Sequence, residues 1–178
     1  MVQEGEPMSG LKGMYFYDAH GLAKELRNGT FSEQLAVNQM IAAFLLFGLT
    51  RGSPVSVEMT INGSAVMAAV YAGVLFVLAV AVLVYGVQKT YLANAEGDGK
   101  DYFLRFAALS LPVGVQVVLV FVVLGLVVVL LFASQVGSLG LQGRLLAAFA
   151  TAALFPLFLI MFFLRMRKYL RISSGADA

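Results

Sequence analysis

The 178-residue chain contains no cysteine, no tryptophan, one histidine and four prolines. Without cysteine there are no disulfides, thiolate metal sites or cysteine nucleophiles. His20 stands alone, so a haem or zinc centre lacks the further ligands that it needs. Without tryptophan, any aromatic belt at a membrane interface has to be built from Tyr and Phe. Charge is scarce as well: 12% of residues are charged against 60% hydrophobic, with a mean hydropathy of +0.87. A soluble domain of this size cannot cover so much apolar surface with so few charges. The polar, acidic start "MVQEGEPMSGLKG" leads into no early apolar run, so a signal peptide is not expected.

What the chain does have is long apolar runs. Four of them, at about 35–50, 64–88, 106–133 and 145–164, are the expected membrane spans. The second and third carry no charge and exceed the roughly 20 residues that cross a hydrocarbon core. The first is short and holds Asn38 and Gln39, which leaves a re-entrant or interfacial start open. Such uninterrupted runs fit helices, since barrel strands are about ten residues long and alternate in polarity. The expected fold is therefore an all-α integral membrane protein with four transmembrane helices. Residues 1–33 form a cytoplasmic N-terminal segment with an interfacial amphipathic helix, 34–169 the transmembrane domain, and 170–178 a disordered tail.

Orientation follows from the basic residues. Lys12, Lys24 and Arg27 precede span one; Lys89, Lys100 and Arg105 lie between spans two and three; Arg165, Arg167, Lys168 and Arg171 follow span four. Only Arg51 and Arg144 stand on the other side, so ten of the twelve basic residues share one face. By the positive-inside rule both termini and the central loop are cytoplasmic, which predicts a multi-pass protein of the bacterial inner membrane. The basic cluster Arg165, Arg167, Lys168 and Arg171 reads as a cytoplasmic anchor and an anionic-lipid contact.

The segment "YFYDAHGLAKELRNG" predicts a short helix, capped by Asp18 and stopped at Gly29, with Leu22 and Leu26 on its apolar side. Thr30 or Ser32 would cap the helix that follows. The charged stretch "NAEGDGKDYFLRF" has too few carboxylates for a calcium loop, and it lacks the frame of a phosphate loop. It reads as a turn returning a hairpin, with Asp98 or Asp101 capping span three.

Inside the spans, Asn38, Gln39 and Gln116 are the candidates for interhelical hydrogen bonds or for pore lining, and Asn38 and Gln116 are expected to face one another. Pro112 and Pro156 are the expected helix kinks. Small residues four apart, Ala65, Ala69 and Gly73 in span two and Ala148 and Ala152 in span four, permit close helix contact. No span carries an acid, base or histidine, so neither a catalytic set nor a proton relay is expected, and no cofactor.

The lead-in "LRNGTFSEQ", followed after two spans by "ANAEGDGKDYFLRFAALSLPVGV", resembles a pattern in small bacterial inner-membrane proteins of uncharacterised function. This sequence reads "NAEG" where that pattern has a glycine pair. The resemblance implies a four-helix subunit of the bacterial cytoplasmic membrane and carries no activity. The functional expectation is a non-enzymatic membrane subunit that oligomerises or holds a membrane or cytoplasmic protein partner through its cytoplasmic face. The alternative is an oligomeric pore or a membrane sensor or effector. The bilayer is a partner in both readings, and nucleic acid in neither.

Overall fold

Asp18 opens the first helix: its side chain accepts the Gly21 amide at 2.8 Å, and Gly29 closes the helix with φ at 69°. The computed structural model describes residues 14–51, 65–133 and 141–176. These form five α-helices: α1 Ala19–Asn28, α2 Glu33–Arg51, α3 Ala65–Ala95, α4 Tyr102–Ala133 and α5 Leu141–Ser174. Among the described residues there is no strand. Ser32 caps α2, its hydroxyl accepting the Leu35 amide at 3.3 Å. Thr30 instead bonds back to the Glu25 carbonyl at the end of α1.

α1 turns its apolar side inward. Ala19, Leu22, Ala23 and Leu26 recur at helical spacing and are all buried against α4 and α5. The apolar side expected to rest on a membrane surface is therefore part of the core.

The longer helices pack in the order α2, α4, α5, α3. α2 and α4 run parallel: Gln39 meets Ala108, and further along Phe47 lies against Gly114. α4 and α5 run antiparallel, with Gln116 against Arg165 and Phe121 against Phe158. α3 runs parallel to α5, from Gly86 against Phe163 to Ala93 against Ser174. The expected hairpin of α3 and α4 is thus open. The two helices meet beside their shared loop, and α3 then packs on α5. Edge-on aromatic contacts among Phe47, Phe106, Phe121, Phe158 and Phe162 fill the middle of the bundle.

α3, α4 and α5 have 31, 32 and 34 residues. At ~1.5 Å per residue each is well over 40 Å long, more than the ~30 Å hydrocarbon core. Two segments, Gly73–Ala95 and Tyr102–Val128, are long and apolar enough to cross a membrane. Their outward side chains are unpacked: Phe76 is 69% exposed and Val122 61%, and Val77, Val123 and Leu126 resemble them. An apolar surface of this extent requires a lipid or protein covering.

Each helix runs past the apolar run that predicted it, because hydropathy marks a change of surroundings and not the end of hydrogen bonding. The clearest correction is the C-terminal tail. α5 continues to Ser174 with Leu170, Ser173 and Ser174 buried, so the expected disorder does not begin at residue 170. Pro112 and Pro156 both stand buried inside continuous helices. Residues 1–13, 52–64 and 134–140, and the side-chain surroundings of Ala65, Ala69, Ala148 and Ala152, lie outside the described residues.

Candidate functional site: a polar collar at one end of the bundle

α3 and α5 end where α2 and α4 begin, and this shared end carries the buried polar side chains. Arg105, one turn into α4, is 4% exposed. A charge buried this far has to be paired. Its Nη1 and Nη2 donate to the two carboxylate oxygens of Asp98 at 2.5 and 2.6 Å, and Nη1 also donates to Asn94 Oδ1 at 3.0 Å. Asn94 in turn donates to the Lys100 carbonyl at 3.1 Å. The Arg105 guanidinium, as a hydrogen-bond donor, holds the Asp98 carboxyl below the usual carboxylate range; the Lys100 amide and the two positive charges add to this, and burial opposes it.

The loop itself rests on the end of α5. Asp98 donates its amide to the Ser174 carbonyl at 3.0 Å, and Ser174 Oγ reaches the Ala93 carbonyl at 3.4 Å. A side chain at Gly97 would collide with the Ser174 backbone, so glycine is needed for this approach. The turn forms as expected, while among the described residues neither the Asp98 nor the Asp101 side chain accepts an α4 amide. Asp101 stands at the start of α4 with its carbonyl accepting the Arg105 amide, whereas Asp98 ties the loop to Arg105. Arg171 adds a looser pair with Glu96 at 3.7 Å.

A second hub is Gln116. Its amide donates to the Tyr17 carbonyl at 2.7 Å, and its oxygen accepts from Arg165 Nη1 at 2.7 Å and from the Tyr169 hydroxyl at 3.5 Å. Asn38 is not among its partners, so the expected Asn38–Gln116 pairing does not form. Asn38 is half-buried, and its neighbour Gln39 is fully enclosed. In the amide orientation that satisfies both groups, Gln39 donates to the Ala108 carbonyl and accepts the Tyr15 amide at 2.8 Å. Ala108 is four residues before Pro112, which has no N–H to offer it. Gln39 supplies the hydrogen bond that the proline removes.

These contacts seat the segment before α1 on the bundle. Tyr15 is held by its amide on Gln39 and by its hydroxyl, which donates to Glu25 Oε1 at 2.7 Å. The Glu25 hydrogen bond, with burial and nearby negative charge, raises the Tyr15 pKa. Beside the loop, Thr90 donates to the Val87 carbonyl and meets the Tyr102 hydroxyl, both at 2.9 Å.

The basic cluster of α5 divides by direction. Arg165 turns inward to Gln116 and Arg171 towards Glu96, while Arg167 is half-buried and Lys168 exposed. His20 is exposed on α1, and among the described residues no three His, Cys, Asp or Glu side chains gather as metal ligands would. By its position in the sequence Arg105 belongs with the charges of the loop, and its role as a hub was missed there. The signal is an arginine inside the first turn of an apolar helix that follows Asn94 and Asp98 through a glycine-rich turn. Comparison with protein-family models, curated proteins and solved structures finds no match, so no activity, ligand or partner carries over from another protein.

Proposed function

We propose that the chain is a non-enzymatic, multi-pass membrane subunit whose four long helices span the bilayer and whose collar end is a cytoplasmic docking face. The observation that carries this reading is the way the collar is built. Arg105, Gln116 and Gln39 tie the pre-α1 segment, the 96–101 loop and the end of α5 into one surface. That surface presents Phe16, Tyr17, His20, Lys24 and Lys100 outward. The basic residues collect at this end, and the positive-inside rule supports a cytoplasmic position for it. A rigid, mixed aromatic and basic face is suited to recognising a protein.

The pore alternative rests on Asn38, Gln39 and Gln116 together with Pro112 and Pro156. Two of these three amides are engaged with the backbone of Tyr15 and Tyr17, which leaves that reading with little support. Mass measurement of the full chain in mild detergent tests the subunit reading. A complex heavier than one chain is expected, weakened by Tyr17→Ala with Lys24→Glu. A lone monomer with no co-purifying partner would count against it.

A further inference from the structure

We infer that the groove between α3 and α5 binds one anionic phospholipid, with its phosphate held by Lys89 and Arg167. The inference rests on the membrane reading above. Ala81, Val82 and Gly86 from α3 and Ile160, Phe163 and Leu164 from α5 form the apolar walls, and Tyr85, Lys89 and Arg167 form the rim. The groove has a volume of about 460 Å³, within the ~300–1,000 Å³ range of small-molecule sites. From Ala81 to Lys89 it follows eight residues of helix, about 12 Å at ~1.5 Å per residue. It therefore starts among apolar side chains and ends at two cations, in the order that an acyl chain and its headgroup present.

The cations are poised for an anion. Lys89 and Arg167 are both half-buried, and among the described residues neither is paired with a carboxylate. Lys89 Nζ lies 5.4 Å from the centre of the Tyr85 ring, which holds it at the rim. Arg165 and Arg171, on the same helix, already have partners. Phe163 reaches the backbone of α3 because residue 86 is glycine; any Cβ there would strike its ring. This contact floors the groove. Charge complementarity, with an apolar trough leading to it, selects a phospholipid over a protein helix. A helix would need acidic residues placed at the membrane surface.

The test is binding of phosphatidylglycerol and phosphatidylcholine with identical acyl chains to the detergent-purified full chain, followed by native mass spectrometry. Each basic group near the membrane surface favours an anionic lipid about fivefold, so about 30-fold is expected for the pair. Lys89→Gln with Arg167→Gln should reduce that preference to within about threefold of parity. Arg27→Gln with Lys168→Gln, two exposed basic residues outside the groove and the docking face, removes the same charge and should leave it intact. Ala81→Phe, which fills the trough without changing charge, should weaken both lipids. The inference fails if the Arg27/Lys168 variant loses the preference equally, if the Lys89/Arg167 variant keeps it, or if inorganic phosphate alone displaces the lipid. Alkaline carbonate extraction separates the two readings. Wild type released from membranes refutes the membrane reading, whereas retained protein without lipid preference refutes only the phospholipid site.

Discussion

Pro112 has no amide hydrogen, and the Ala108 carbonyl that it leaves without a donor takes one from Gln39. A buried polar group left without its partner costs about 1–3 kcal/mol. Gln39→Leu should therefore destabilise the fold by about that much, and by clearly less in a Pro112→Ala background, where residue 112 regains its N–H. Thermal unfolding of the four proteins of this double-mutant cycle in detergent measures the coupling; simple additivity would refute it. Asp98 gives a second residue-scale prediction. Its folded pKa is depressed, so its stabilising effect is complete above the ordinary carboxylate value near ~3.9 and fades as pH falls through the lower folded value. As pH falls below about 4 the wild type should lose stability more steeply than Asp98→Asn. Equal acid limbs in the two melting profiles would dissociate Asp98 from that loss.

At the scale of elements, α1 is held by an apolar stripe as well as by bonds from its lead-in segment. Leu22 is fully buried against α4 and α5, and truncating a buried leucine costs about 2–5 kcal/mol. Leu22→Ala should increase amide exchange over residues 19–28 while leaving α4 protected; unchanged exchange would mean that α1 is held by its polar contacts alone. This element was legible in the sequence down to its caps at Asp18 and Gly29, because capping and 3.6-residue periodicity are local properties. The docking of α1 was not legible. An amphipathic stripe fits a lipid surface and a protein groove equally well, and the choice depends on Gln116 and Arg165, far away in sequence. The loop 96–101 shows the same division. Its turn character lay in its glycines and aspartates, but its contact with Ser174 depended on α5 running past its apolar run.

At the scale of the molecule, composition announced a large apolar surface and the long uninterrupted runs announced helices; among the described residues two helices are long and apolar enough to cross a membrane. The order of packing was hidden, since nothing local in α3 says that it prefers α5 to its neighbour α4. The proposed topology places the collar on the cytoplasmic side. Reporter fusions at Asn62, Gly97 and Gly140 should then read outside, inside and outside. A periplasmic signal at Gly97 would overturn the four-span arrangement.

The α2, α4, α5, α3 order also has a consequence in time. A ribosome delivers α3 well before α5, the helix against which α3 packs. During synthesis α3 therefore waits with its inner face unmatched, and the loop at 96–101 waits for the Ser174 carbonyl to arrive. Until α5 arrives, the partly made chain exposes apolar surface that the finished bundle buries. A stop codon within α5 would therefore unsettle α3, a helix completed long before the break.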